Sequence, residues 1–408
     1  MTHDADILIV GGGLNGPALA LAAGQAGLTS VVIDARPAPD RAEPGFDGRA
    51  YALAAASRRV FAALGVWPRV AARAQPILRV RASDGRAGEG AAPLFLHFDA
   101  AEIEEGPMGF MLEDRFLFAA LRAAMARDGH ITVLSGATVT AQEVGPTGAT
   151  VTLADGRRLT GRLIAGCDGR GSGTAVRAGI RRAGWDYGQT ALVTAIDHDR
   201  PHESTAHQYF MPEGPLAILP LPGNRSSIVW TERSATAAAI QALPDPDYLS
   251  ALAPRVGDFL GAIKLAGDRF TYPLSLSLAE RFTAPRLVLV GDAAHGVHPI
   301  AGQGLNLGIR DVAALAEVLA DAARRGEDIA APDVLDRYQK WRRFDTTALA
   351  LGMDAVNRLF SNDSAVLRPL RDLGMGLISR TPALRRAFMR QAAGLSGELP
   401  RLMAGERL

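Results

Sequence analysis

The apolar run Ile7-Leu-Ile-Val10 stops at three glycines, Gly11-Gly12-Gly13. A short uninterrupted run ending this way reads as a strand buried on both faces, as in a parallel sheet. Leu14 to about Ala26 is rich in Ala and Leu and reads as a helix, with Gly27 as its C-cap. Val31-Val-Ile33 supplies a second strand that ends at Asp34. Together these predict one βαβ unit. Further helices are expected over 57–64, closed by Gly65, and over 115–127, ahead of Asp128-Gly129. Strand-like runs at 131–134, 149–153 and 162–165 flank turns at 146–148 and at Asp155-Gly156.

Between about 185 and 275 the pattern changes to short β-prone segments, 190–196, 207–210, 216–219 and 226–231, separated by Pro- and Gly-containing turns. This predicts an antiparallel sheet. Leu287–Val290 is then another four-residue apolar strand, followed by Gly291-Asp292 and a helix over about 303–324. The expected fold is α/β: a Rossmann-like dinucleotide domain, discontinuous in sequence, with an antiparallel sheet domain inserted and a helical C-terminal region. The expected division is 1–80, 111–183 and 281–332 for the first domain, 81–110 (an excursion) and 184–280 for the second, and 333–408 for the helices.

Composition narrows the function. The chain has 408 residues, 44 basic and 43 acidic, a balance that excludes coating nucleic acid with the whole surface. Cys167 is the only cysteine, which excludes an intrachain disulfide and a multi-cysteine zinc or iron–sulfur centre and suits a reducing cytoplasm. The first six residues carry acids where a secretory signal would be positive. Residues 7–33 are uncharged and long enough to span a bilayer, but Asn15, Pro17, Gln25 and the glycines fit a soluble strand–turn–helix–strand better.

Gly11, Gly13 and Gly16 form G-x-G-x-x-G at the first strand-to-helix turn. Gly11 permits the turn, Gly13 lets the backbone approach a pyrophosphate, and Gly16 lets helix and strand pack closely. The helix start offers N–H groups to the phosphates, and Asp34 stands where a carboxylate would accept from ribose hydroxyls. The competing reading is a packing turn with a solvated strand-end acid. Two further constellations lie downstream: Gly166-Cys-Asp-Gly169 with Ser172, and Gly291-Asp-Ala-Ala-His295 followed by His298-Pro-Ile-Ala-Gly-Gln-Gly-Leu-Asn306. Asp292, just beyond a buried strand, is placed to hydrogen-bond sugar-alcohol hydroxyls. Pro299 and Ala301-Gly-Gln-Gly304 make a loop poor in side chains that a flat ring could press against. The N–H groups of Gly304, Leu305 and Asn306 could stabilise negative charge there.

With these motifs in this order, the chain resembles the flavin-dependent aromatic hydroxylases of the p-hydroxybenzoate hydroxylase fold. It is most similar to the ubiquinone-biosynthesis hydroxylases. Besides the motifs above, the resemblance rests on Asp47-Gly-Arg-Ala50 with Leu53, Gly184-Trp-Asp-Tyr187 with Gln189, Pro212-Glu-Gly-Pro215 and Leu219-Pro-Leu-Pro222, within residues 5 to 350. It implies tightly bound, non-covalent FAD held by Gly11, Gly13, Leu14, Asn15, Gly16, Asp34, Arg49, Asp168, Gly291, Asp292, Pro299, Gly302, Gly304, Leu305 and Asn306. NAD(P)H and O2 would be co-substrates, and a flavin C4a-hydroperoxide would oxygenate the ring of a polyprenylated phenol beneath the inserted sheet. No side chain is assigned a covalent step; Pro299, Gly302, Gln303 and Gly304 would face the flavin.

The resemblance implies a hydrophobic phenol as substrate, no nucleic acid, and a cytoplasmic protein for which peripheral contact with the inner membrane face and with other ubiquinone-biosynthesis proteins is left open. Two departures from the family pattern stand out: Ala175 replaces an arginine, the next being Arg177, and Glu113-Asp-Arg115 occupies a stretch that often carries Arg, Gln or Asn. His295 and His298 lack the acids or cysteines that would complete a metal site, so no metal is expected. His198, His202 and His207 are expected on exposed turns or strands, and Cys167 as a small buried residue. Arg368, Arg371, Arg380, Arg385, Arg386 and Arg390 would lie either on anionic lipid or on a solvated helix face. The four tryptophans are never two apart, against a flavin halogenase. Two alternatives remain, a prenyl-lipid reductase with FAD and a non-catalytic flavin-retaining subunit.

Overall fold

The computed structural model describes residues 3–37, 46–88, 90–103, 105–298, 302–360, 374, 376 and 378–408. The chain opens with β1 (Ala5–Val10), α1 (Asn15–Gln25) and β2 (Ser30–Asp34), then β3 (Ala50–Ala54), α2 (Ala55–Ala63), α3 (Trp67–Val70) and β4 (Gln75–Ile77). β5 (Arg79–Arg86), β6 (Gly90–Asp99), β7 (Gly109–Glu113) and α4 (Asp114–Met125) follow. Next come β8 (Ile131–Ser135), β9 (Val139–Val144), β10 (Ala149–Leu153), β11 (Arg158–Gly166) and α5 (Gly173–Arg177). The strand-rich middle holds β12 (Arg182–His198), β13 (Thr205–Met211), β14 (Gly214–Leu221), β15 (Arg225–Arg233), α6 (Ser234–Gln241), α7 (Asp245–Val256), β16 (Ile263–Leu265) and β17 (Phe270–Ala279). The last part is β18 (Thr283–Ala284), β19 (Leu287–Leu289), β20 (His295–Gly296), α8 (Gln303–Arg324), α9 (Pro332–Phe360), α10 (Pro382–Ala392) and α11 (Arg401–Ala404).

Among the described residues the strands form three sheets. The first runs β18-β19-β11-β1-β2-β8, with β10 and β9 continuing from β11, and its pairs β2–β8, β1–β2, β1–β11 and β11–β19 are parallel. Ile7, Leu8 and Ile9 are fully buried in a core to which α1, α8, β9 and β10 all contribute, which is why the sequence shows an apolar run and no alternation. α1 carries no charge on any face and nine of its eleven residues are buried. Gly27 closes it at φ +74°, its N–H bonding back to Gly24.

The second sheet, β20-β17-β12-β15-β14-β13-β5-β6 with β16 on β12, is antiparallel apart from the β13–β5 pair. It draws strands from 79–99 as well as from 182–279, and β20 belongs to it although β20 lies only six residues beyond the end of β19. A small third sheet, β3-β7-β4, is set apart from both. The segment 290–298 thus leaves the first sheet and enters the second.

The region 185–275 is not strand alone. α6 and α7 interrupt it, and their Ala237, Ile240, Tyr248, Leu252 and Val256 pack on Trp230, Leu216 and Ile228 of the sheet. The signal was present: Pro244-Asp-Pro-Asp247 puts proline and two acids at the first turn of α7. His198 and His207 also differ from the exposed positions expected of them. Both are buried, His198 between the Arg200 carbonyl (2.7 Å) and Ser226 Oγ (3.0 Å), and His207 against the Phe259 ring, with centroids 4.4 Å apart. Arg177 is tied to β9 through Gln142 Oε1 and the Val139 carbonyl, so it works inside the first domain's packing.

Candidate functional site

In the first sheet Ile33, Val10, Gly166 and Leu289 stand in one row across four neighbouring parallel strands. The residues that follow them are Asp34, Gly11, Cys167-Asp168 and Val290-Gly291-Asp292. All four motifs found in the sequence therefore emerge at the carboxyl edge of one sheet, where open α/β folds bind ligands. With strands ~4.8 Å apart, the row from Asp34 to Asp292 spans about 14 Å. That suits an extended dinucleotide laid across the strand ends.

The glycines divide by task. A Cβ on Gly11, whose φ is +116°, would lie 2.3 Å from the Cys167 carbonyl oxygen, and one on Gly16 would lie 2.0 Å from the Gly11 oxygen. Those two are required by backbone packing. Gly12, given no role by the sequence reading, is required too, since a Cβ there would meet Asp34 Oδ2 at 2.4 Å. Gly13 and Gly304 face open space, with nothing within 4 Å of an added Cβ. They are the positions where another molecule can approach the backbone. α1 and α8 both begin without a side-chain cap and without an acid in the first turn, which suits their N-terminal ends to negative charge.

Asn15 joins three motifs. A Cβ on Gly291 or Gly308 would meet its amide at 2.1 or 2.4 Å, so the side chain sits in a slot made by those two glycines. Its Oδ1 is buried and has no hydrogen-bond partner among the described residues. Asn306 is fully engaged, accepting from Ala54 N–H (2.8 Å) and donating to the Ala52 and Gly302 carbonyls. It pins the start of α8 to β3, so its side chain is spent on the fold and not on a ligand. Gly302 precedes α8 at φ +62°, and a Cβ there would meet the Ala52 methyl at 2.9 Å. Pro299 lies outside the described residues. Leu14 is buried at the start of α1, Leu305 is partly buried in the first turn of α8, and Gln303 begins that helix.

The acids are held as follows. Asp168 accepts from Ser172 Oγ (2.6 Å) and from the N–H and Oγ1 of Thr174 (2.9 Å each), so it anchors the start of α5. Asp34 accepts from the Arg36 N–H at 3.1 Å. Asp292 pairs with Arg170, Nε to Oδ2 at 3.2 Å. Arg49 pairs with Asp47 at 2.5 Å and approaches Asp114 at 3.8 Å, and that carboxylate is what Asp114 contributes to the departing stretch.

The loop that carries Asp292 is gripped from both sides by residues the sequence reading did not single out. On one side the Arg182 guanidinium donates to the carbonyls of Asp292 (3.0 Å) and Ala293. On the other, Asp311 Oδ2 accepts from the Gly291 N–H (3.0 Å) and from His295 Nε2 (2.5 Å), while Oδ1 accepts from Arg342 Nε (2.7 Å). Asp311 and His295 are 0% exposed and Arg342 1%. Burial by itself would raise the Asp311 carboxyl, but His295 and Arg342 outweigh it and hold the group below the usual carboxylate range. Arg342 continues to Asp345 (2.8 Å) and Thr346 (3.1 Å), so its charge is shared. A pattern did mark these residues: Asp311 lies on the Leu307–Leu315 stripe of α8, and Arg342 on the Tyr338–Thr346–Ala350 stripe of α9.

This donor set fits FAD: uncapped helix starts and an open Gly13 for the pyrophosphate, carboxylates at both ends of the row for sugar hydroxyls, and open backbone at Gly304 for a flat ring. Comparison with known proteins agrees. Residues 4–350 match the family model described as FAD binding domain. The chain is 46% identical to the ubiquinone hydroxylase UbiL of Rhodospirillum rubrum over 404 residues, 98% of this chain and 93% of that one. It is 35% identical to the 3-demethoxyubiquinol 3-hydroxylase of Escherichia coli over 96% of this chain and 98% of that one. The p-nitrophenol 4-monooxygenase PnpA of Pseudomonas putida has the same fold, with a TM-score of 0.81 at 19% identity over 98% of this chain and 100% of that one. The chain belongs to the FAD-binding-domain family and, within it, to the ubiquinone-biosynthesis hydroxylases.

Proposed function

We propose that the protein is an FAD-dependent monooxygenase that uses NAD(P)H and O2 to hydroxylate the aromatic ring of a polyprenylated phenol on the way to ubiquinone. One observation carries the flavin part: Asp34, the glycine turn, Asp168 and Asp292 emerge in a row at one sheet edge. The substrate class follows from the activities named for the relatives that are 46% and 35% identical.

Bound FAD supplies the oxygen activation. The chain's own residues do the rest. Asp34 and Asp292 would accept from sugar and ribityl hydroxyls, Gly13 and the N–H groups of α1 would take the pyrophosphate, and the N-terminal end of α8 would stabilise negative charge on the ring. The Arg182 and Asp311 contacts hold Asp292 in place without touching the cofactor. The second sheet, joined to the first through residues 290–298, covers the ring and excludes water from the reacting atoms.

Among the described residues no helix is long and apolar enough to cross a membrane. A prenylated substrate nevertheless resides in lipid, and α10 exposes Leu384 and Phe388 beside Arg386 and Arg390. This helix suits a peripheral contact with anionic lipid.

The test supplies purified holoenzyme with NADH or NADPH, 18O2 and a prenylated phenol, and weighs the product. A ring product carrying one labelled oxygen is expected. A saturated prenyl chain without oxygen uptake would establish the reductase, and reductant consumed only to hydrogen peroxide with every phenol would remove the hydroxylase reading.

A further inference from the structure

Among the described residues neither ring nitrogen of His298 has a hydrogen-bond partner, although the residue is only 1% exposed. The Tyr187 hydroxyl is also buried, makes no close hydrogen bond among the described residues and has the Asp354 carboxylate as its charged neighbour, and the two rings meet edge to face with centroids 5.2 Å apart. Buried polar atoms without partners cost stability, and native structures keep them few. Two orphaned nitrogens on one buried ring, set beside a buried hydroxyl, point to a polar group that arrives from outside.

The placement is built. Pairing of β12 with β17 skips from Asp186 to Gln189, and Gly188 takes φ +65° at this bulge. Bulges re-aim side chains, and here the bulge carries Tyr187. His298 follows β20, at the end of the segment that joins the two sheets. Around the pair the walls are apolar: Leu276 of the sheet, Val297, Leu307 of α8 and Met353 of α9. Behind Tyr187, Asp354 is fixed by Trp185 Nε1 (3.2 Å) and Arg358 (2.9 Å).

Two charged groups face the imidazole. Burial, together with the Arg170 guanidinium, pulls the His298 pKa down to about 4 against the opposing pull of Asp354. At neutral pH the ring is therefore uncharged, with one accepting and one donating nitrogen. Burial and the Asp354 carboxylate raise the Tyr187 pKa, so its hydroxyl keeps its proton and donates.

We propose that His298 and Tyr187 form the seat for the ring hydroxyl of the substrate, the neutral imidazole accepting from that hydroxyl and Tyr187 donating to it or to an oxygen on the neighbouring carbon. The inference rests on the hydroxylase reading above and adds to it the groups that orient the ring. Two directional contacts on one edge fix which ring carbon faces the flavin. The preferred substrate class is a phenol with an adjacent oxygen substituent.

The test uses oxidised holoenzyme without reductant. It is titrated with 2-farnesylphenol and with farnesylbenzene, which lacks the hydroxyl, and binding is followed through the flavin absorbance. Wild-type protein should favour the phenol. His298→Leu and Tyr187→Phe should each weaken phenol binding roughly 10- to 100-fold, leaving farnesylbenzene affinity and FAD affinity unchanged. His298→Gln, which keeps an acceptor and a donor, should recover part of the loss. The Tm of the Leu variant should be no lower than wild type, because only orphaned polar atoms are removed. Wild-type affinity for the phenol in both the Leu and Phe variants would overturn the seat, as would a matching loss of FAD affinity, which would assign these atoms to the cofactor. Failure of wild type itself to distinguish the two ligands would instead remove the hydroxylase reading, and the seat with it.

Discussion

Asp311→Asn changes one buried atom and tests whether the carboxylate holds the Asp292 turn. In the native protein the Asp311 oxygens receive three donors, from Gly291, His295 and Arg342. Asparagine keeps a single acceptor and turns an NH2 toward the remaining donors, while Arg342 loses its fully buried counter-charge. Removing one partner of such a pair costs about 3–5 kcal/mol. An unfolding entropy near 2.1 cal/mol/K per residue gives about 0.86 kcal/mol/K for 408 residues, so Tm should fall by about 4–6 °C. The Gly291 N–H would no longer be fixed, and FAD should bind roughly tenfold more weakly, equivalent to about 1.4 kcal/mol. Apo-protein calorimetry at pH 7 measures the first effect, and quenching of flavin fluorescence on titration with apo-protein the second. The apolar double variant Asp311→Leu with Arg342→Met should regain much of the lost Tm but not the FAD affinity, because it removes the stranded charge without restoring the acceptor. An Asp311→Asn protein with unchanged Tm and unchanged FAD affinity would refute the reasoning.

Two further predictions come from other parts of the fold. Gly13→Ala should leave the apo-protein Tm unchanged while weakening FAD, since its methyl enters only open space. Gly16→Ala forces a methyl to 2.0 Å from the Gly11 oxygen and should lower both; thermal melts with flavin titrations separate the two patterns. His207 has its pKa lowered to about 4 by burial and, second, by Arg81. A group whose folded pKa is depressed below its unfolded value contributes stability that is complete above pH ~6.5 and is lost as pH falls toward 4. His207→Phe should flatten urea-unfolding free energy across that window, and an unaltered pH slope would sink the assignment.

What the sequence made legible follows from where each constraint acts. The glycine turn, the two downstream motifs and the strand–helix alternation were readable because the backbone itself dictates them: Gly11 holds φ +116°, a Cβ on Gly16 would strike the Gly11 oxygen five residues back, and only an apolar run fits a strand covered on both faces. The roles of Asn306 and Asp311 were not readable. One is spent on a strand some 250 residues away and the other on an arginine 31 residues on, and both depend on how α8 is seated. The exposed positions expected for His198 and His207 failed for a related reason. A histidine inside a β-prone segment faces either side of the sheet, and only the packing of Phe259 and Ser226 decides which.

The same contrast separates the two kinds of polar group near the junction of the sheets. Around Asp311 the donors of Gly291, His295 Nε2 and Arg342 each reach the carboxylate, the condition under which a buried charge rigidifies its surroundings, and His295 Nδ1 alone among these groups has no partner among the described residues. Seven residues from Gly291, at His298, the imidazole is almost as deeply buried yet has neither nitrogen paired among the described residues. A rigid Asp292 turn next to an unsatisfied His298–Tyr187 pair is the arrangement expected where a permanently bound cofactor adjoins a substrate that comes and goes. Stability measurements should therefore divide the segment 291–298. Substitutions that disturb the Gly291 end should lower Tm and flavin affinity together, whereas apolar replacement at His298 should leave both intact and remove only the preference for a ring hydroxyl.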